Sequence, residues 1–192
     1  MAKKVKRHYV DNKKFLEEIV EYKKQCAYAE QHGLTKPVIS NYIGKCIKDI
    51  AEHLSTKPLF MNYSYRDEMI SDAIENCFMY FDNFNPEKSE NPFAYFTQIS
   101  YYAFQRRKNK EKKNKYIMYK RFQESVLHTN DASLMIDADG NHLISSNIYD
   151  NINDFIRDFE ERELLKKLER KKAKEGLEKF VEGENDDGRE SV

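Results

Sequence analysis

Apolar positions recur along the first half of the chain at the three- and four-residue steps of helix faces. Phe15, Leu16, Ile19, Val20 and Cys26 predict a first helix over about Asn12 to Gln31, with Asp11 or Asn12 as its N-cap. Gly33 fits a left-handed C-cap and Pro37 a first helical turn, so a second helix is expected over about Val38 to Leu54. Its stripe is Ile39, Ile43, Cys46, Ile47, Ile50 and Leu54, and residues 55–64 then read as a loop. A third helix is expected with Ser64 capping the N–H of Asp67. Met69, Ile70, Ala73, Ile74, Cys77, Phe78 and Phe81 form its broad buried face, and Asn85 with Pro86 ends it. Asn91 as N-cap and Pro92 at the first helical position open a fourth helix that continues into a run of Lys and Arg. Residues 123–147 show no period, and "DADGN" at 137–141 reads as a turn. From about Tyr149 the pattern is helical again, with the sparse stripe Ile152, Phe155, Ile156, Phe159, Leu164, Leu165 and Leu168.

These signals predict an all-α protein. The expected organisation is a basic arm over 1–11, a compact helical domain over 12–122, and an irregular linker over 123–148. A charged helical extension over 149–182 and a disordered acidic tail over 183–192 follow. Composition agrees: 34% of residues are charged, while Gly and Pro number only six and four among 192, so few turns are signalled.

Formal net charge is zero, so attraction to a polyanion must come from uneven placement. Placement is uneven: Glu111 is the only acid between Arg106 and Arg121 among nine cations. Cys26, Cys46 and Cys77 have no paired spacing, which fits a reducing cytoplasm rather than a disulfide framework or zinc site. No apolar run approaches the roughly 20 residues of a membrane span, and the first ten residues carry no apolar signal core. No membrane partner is expected. His8, His32, His53, His128 and His142 match no metal or nucleophile spacing. "DADGN" begins like a calcium loop, but its twelfth position is Ile148 instead of Glu. No Gly-rich phosphate loop is present. The chain is therefore expected to be a non-enzyme without metal or cofactor, with a metal nuclease built on its acidic residues as the alternative.

The faces of two helices carry the candidate chemistry. On the fourth, Phe93, Phe96, Ser100 and Ala103, with Ile99 beside them, form a core stripe. The other side shows Tyr95, Gln98, Tyr102 and Gln105, prolonged by Arg106 and Asn109. Tyrosine stacks on bases, Gln suits the N6/N7 edge of adenine, and Lys or Arg holds phosphates. Spacing alone leaves two readings open: a nucleic-acid surface, or tyrosines packed on a neighbouring helix with a solvated charged end. On the third helix Glu68, Asp72, Glu75 and Asp82 form a narrow acidic line. It reads as a solvated face or as a docking surface for a basic partner, with Ser71 and Met79 on its rim.

The segments "IGKCIKDIAEHL" (43–54), "EMISDAIENCFMYFDNF" (68–84) and "NPFAYFTQISYYAFQRRK" (91–108) resemble region 2 of bacterial sigma factors. With "HYVDNKKFLEEIVEYK" (8–23), they are most similar to the late-transcription sigma factors of T-even-type bacteriophages. The resemblance covers about residues 8–122; single motifs are loose, and their order and spacing are more specific. It implies a helical bundle that docks on the clamp helices of the largest subunit of bacterial core RNA polymerase. Glu68, Ser71 and Asp72 match docking positions, and Glu75 follows one turn later. It also implies binding of promoter DNA at an A·T-rich minus-ten element. Tyr95, Gln98, Tyr102 and Gln105 fall on reading positions, and Arg106, Arg107 and Lys108 lie near phosphates, with Lys110, Lys112 and Lys113 beyond.

Where general sigma factors place an aromatic wedge, this chain has Gln98 and Ile99 and no Trp at all, so Tyr101, Tyr102 or other proteins are expected to assist melting. Leu177, Phe180 and Val181, flanked by acids, resemble the terminal peptide with which the phage factors bind the DNA sliding clamp. Burial of the three side chains elsewhere in the chain is the alternative. The resemblance also allows for a phage late coactivator, and it places the protein in the cytoplasm of an infected bacterium.

Overall fold

The computed structural model describes residues 9–129 and 146–184, and the side chains of residues 9–125 and 148–175. The protein is all-α: α1 (Asn12–Gln31), α2 (Asn41–Ser55), α3 (Arg66–Met79), a short 3-10 turn (Phe81–Asn83), α4 (Pro92–Thr129) and α5 (Ser146–Glu184). It divides into two units, Met1–Glu111 and Lys112–Val192, with the boundary inside α4. Among the described residues no helix is long and apolar enough to cross a membrane.

Capping fixes the starts of the helices in the first unit. Asp11 caps α1, its carboxylate accepting from the backbone N–H groups of Lys13 and Lys14 at 3.1 and 3.2 Å. Asn12, the other candidate, caps α4 instead: its Oδ1 accepts from the Phe93 N–H at 3.0 Å, beside Asn91, which accepts from Ala94. Two carboxamides thus satisfy N–H groups that the helix leaves unpaired, and they tie α1 to α4. Gly33 has φ +64°, as the C-cap pattern requires.

α2 begins at Asn41 and not near Val38, because Ser40 is the better cap and accepts from the Ile43 N–H. Pro37 stays in the extended connection, where its carbonyl accepts from the Tyr22 hydroxyl. α3 begins at Arg66 after Tyr65, and no side chain caps it, so the expected Ser64 cap is not formed. Arg66 instead ties this end to α2 by donating from Nε to Ser55 Oγ at 2.9 Å. α3 also ends early, at Met79. The 3-10 turn then folds Phe81 and Phe84 inward, which leaves Phe78 exposed rather than in the core.

Two apolar clusters hold the unit together. In the first, Phe96 lies under Phe15, Phe81 and Phe84, with ring centroids 5.5, 5.7 and 6.2 Å away, amid Ile19, Ile43, Ile47 and Ile50. In the second, Phe104 meets Phe60 edge to face at 5.0 Å, beside Ala51, Met69, Ala73 and Ala103. Of the expected arm, residues 1–8 lie outside the described residues. Tyr9 stacks on His53 at 3.7 Å and Val10 is buried.

In the second unit, α4 pairs with α5. Tyr116 stacks on Phe159 at 4.5 Å, and Tyr119 meets Phe155 edge to face at 5.4 Å. Ile152 and Ile156 are buried, whereas Leu164, Leu165 and Leu168 are exposed. Of the residues expected as a linker over 123–148, those up to Thr129 belong to α4 and those from Ser146 to α5, and the rest lie outside the described residues. The "DADGN" turn lies outside the described residues. So does most of the expected acidic tail; its first two positions, Gly183 and Glu184, close α5.

Phe104 is fully buried, so Phe104→Ala should lower unfolding free energy by about 3–5 kcal/mol in urea titrations. In the second unit Glu160 accepts from the Tyr116 hydroxyl at 2.8 Å and from Lys120 at 3.2 Å, and these bonds hold its carboxyl below the usual range. A lowered folded-state value stabilises above the unfolded value of about 4.3 and is lost as pH falls through the folded value. Acid titration followed by tyrosine fluorescence should show this pairing loosen as pH falls below the ordinary carboxylate range, and Glu160→Gln should flatten that response.

Candidate nucleic-acid interface

The seam between α3 and α4 determines what α4 exposes. Ser100 donates to the Phe96 carbonyl at 2.8 Å and lies 3.4 Å from the Cys77 thiol, which burial pushes up to about 11. With Ala73 and Ala103, these small residues line the contact between the two helices. Burying Phe96, Ser100, Ala103 and Phe104 turns the opposite side of α4 to solvent.

Gln98 is exposed there, and Tyr101 and Tyr102 are 38% and 52% exposed. The two tyrosines meet edge to face at 5.9 Å, and Tyr101 also meets the buried Phe60 ring at 5.8 Å. Gln105 is half-buried and donates to the Tyr101 hydroxyl at 3.1 Å. Tyr95, expected in the same row, is placed differently. It is half-buried, 5.2 Å from Phe84 and 5.1 Å from Phe96, and donates to the Tyr80 carbonyl at 3.0 Å. Burial raises its phenol pKa. Ile99 packs against the first apolar cluster. The exposed row is therefore Gln98, Tyr101 and Tyr102, with the half-buried Gln105 at its edge.

The cations divide in an unexpected way. Arg107 turns back to α3, donating from Nε and from one terminal nitrogen to the two Asp72 oxygens, each at 2.6 Å. Its other terminal nitrogen lies 3.4 Å from Glu111, and the two carboxylates hold the guanidinium above its ordinary pKa. Arg106 is exposed and donates to Asn76 Oδ1 at 2.6 Å. Lys108 lies 5.2 Å over the Tyr63 ring, and Lys110 is exposed. Lys112 and Lys113 belong to the second unit, the former half-buried and the latter exposed.

On α3, Glu68, Ser71 and Glu75 are exposed, and Ser71 donates to the Asp67 carbonyl. Asp72 is half-buried under Arg107, and Asp82 is paired with Lys36 at 2.7 Å. Leu177, Phe180 and Val181 lie within α5, and their side chains fall outside the described residues. Sequence reasoning missed Asn76 and Tyr63, the partners of Arg106 and Lys108. No local pattern announces contacts across 30 or more positions, although Asn76 does follow Asp72 by one helical turn.

No protein-family model matches the chain, and no curated protein sequence matches it. The site's chemistry is a pair of aromatic faces, two carboxamides and flanking cations on one helix, with exposed carboxylates on the next. It offers stacking, edge hydrogen bonds and phosphate attraction.

The two tyrosine environments predict different responses. Tyr95→Phe should lower unfolding free energy by about 0.5–1.5 kcal/mol through the lost hydroxyl bond. Tyr102→Phe should stay within about 0.5 kcal/mol of the wild type, as exposed positions do. Urea unfolding of both variants checks the contrast.

Proposed function

We propose that this protein is a sigma-like initiation factor. It binds bacterial core RNA polymerase through the acidic face of α3 and directs it to A·T-rich minus-ten-type elements of phage late promoters. There α4 stabilises the melted non-template strand. The observation that carries this reading is the exposed row Gln98, Tyr101 and Tyr102, with half-buried Gln105 at its edge, one helix away from the exposed carboxylates of Glu68 and Glu75.

The work is done by differential binding rather than by chemistry on a substrate. A·T-rich duplex with flexible TA steps costs least to unstack. An opened base stacks on Tyr102 or Tyr101, and a Gln carboxamide pairs with an adenine edge. Lys110 attracts phosphates without reading sequence. The Tyr101–Tyr102 pair supplies aromatic surface beside Gln98 and Ile99, where general sigma factors carry their wedge. In this reading Leu177, Phe180 and Val181 remain the candidate contact for a sliding clamp that activates the factor in the infected cell.

Run-off transcription by host core polymerase from an A·T-rich late promoter should depend on this protein. Glu68→Arg with Glu75→Arg should abolish co-purification with core polymerase. Tyr102→Ala should weaken binding to melted promoter strand by about 1–3 kcal/mol, roughly fivefold to 150-fold. Equal affinity for duplex and single strand, with no capture of core enzyme, would instead identify a general nucleic-acid-binding adaptor.

A further inference from the structure

The Asp72–Arg107 pair joins the two faces that the proposed function keeps separate. Asp72 sits within the acidic row of α3, between Glu68 and Glu75. Arg107 sits in the cationic block of α4. Each is occupied by the other in a two-point bond, with both distances 2.6 Å. Their side chains are 27% and 19% exposed. That margin matters: the pair is sheltered enough to be held, yet open enough for a partner to reach. The same turn of α3 holds the neighbouring arginine, since Asn76 accepts from Arg106 and donates to the Asp72 carbonyl.

We propose that the Asp72–Arg107 pair is an exchangeable latch, in which a cationic partner surface docking on α3 takes over Asp72 and frees Arg107 to bind a nucleic-acid phosphate. This rests on the proposed reading of α3 as the docking face and of α4 as the DNA face. Arg107 gives up a bidentate carboxylate and gains a phosphate, a ligand its planar fork also fits. Glu111, at 3.4 Å, remains as a second anchor for the released side chain. The coupling is reciprocal: strand binding that captures Arg107 exposes Asp72 to the docking partner. Arg107 therefore acts in the free protein as a positioning residue and contacts DNA only after release.

The test uses the full chain without polymerase and a fluorescently labelled A·T-rich single strand, titrated by anisotropy at several salt concentrations. Asp72→Asn should bind several-fold more tightly than the wild type, with a salt slope steeper by about 0.7, the value of one more phosphate on a single strand. In an Arg107→Gln background the gain from Asp72→Asn should vanish. Arg107→Lys keeps the cation but loses the two-point bond, so it too should bind more tightly; it serves if Asp72→Asn lowers the melting temperature below that of the assay. A gain from Asp72→Asn that persists without Arg107 reflects only the lost negative charge and overturns the latch. An unchanged salt slope overturns it as well. If Tyr102→Ala leaves binding intact while the latch variants respond, the row reading fails and the latch stands. If Tyr102→Ala loses binding while Asp72→Asn changes nothing, the latch fails and the row reading stands.

Discussion

The close packing of α4 on α3 is the constraint from which the first unit's surface follows. Small side chains line the seam: Ala73 and Cys77 on one helix, Ser100 and Ala103 on the other. Phe96 and Phe104 anchor it on either side in separate apolar clusters. The successive contacts, Tyr80 with Tyr95, Cys77 with Ser100, Asn76 with Arg106 and Asp72 with Arg107, run in opposite directions along the two helices. With the stripe at 96, 100, 103 and 104 buried, a helix of 3.6 residues per turn must present 98 and 102 to solvent. The exposed row follows from the core, and a shift of the seam would bury it.

The same seam redistributes charge. The chain is neutral overall, and its cations cluster on α4. Arg106 and Arg107 are turned to α3, one to a carboxamide and one to a carboxylate. Lysines remain at the surface of the block, with Lys110 exposed and Lys108 resting against an aromatic ring. A lysine ammonium is a compact, flexible point charge that suits non-selective phosphate attraction, whereas the guanidinium fork imposes geometry. In the proposed function, discrimination among bases falls to the tyrosines and glutamines, and the lysines serve attraction. That division matches the general separation between contacts that position and contacts that specify.

Much of the fold was legible because it rests on local rules. The bounds of α1, the Gly33 cap and the Asn91–Pro92 start of α4 are set by residues within a few positions of each other. The misreadings arose where distant contacts prevailed. Ser64 has the right chemistry for a cap, but the start of α3 is tied down by Arg66 reaching Ser55 on α2. Phe78 has the right spacing for the core, but the 3-10 turn brings Phe81 and Phe84 inward in its place. Phe104 follows Ser100 by four residues and so has core spacing, but the stripe was counted through Ala103 instead, and Phe104 closes the second cluster. At the site, the exposure of Gln98 and Tyr102 follows the period, whereas Tyr101 was outside the expected row. The bond of Tyr95 to Tyr80 and the pairing of Arg107 were not legible, because their partners lie 15 and 35 positions away.

The displacement of Tyr95 sharpens the site. A row starting at Tyr95 would spread its aromatic rings over two helical turns, too far apart to act on one base step. The row seen here brings Tyr101 and Tyr102 together, with their ring centroids 5.9 Å apart and Gln105 holding the Tyr101 hydroxyl. Tyr101 is braced from beneath by Phe60, which is itself fixed edge to face against Phe104. A ring held in this way has little side-chain freedom left to lose when a base stacks on it, so more of the stacking energy remains as binding. The buried Phe60–Phe104 pair thus supports the exposed tyrosines, which connects the second core cluster directly to the surface that would meet an opened strand.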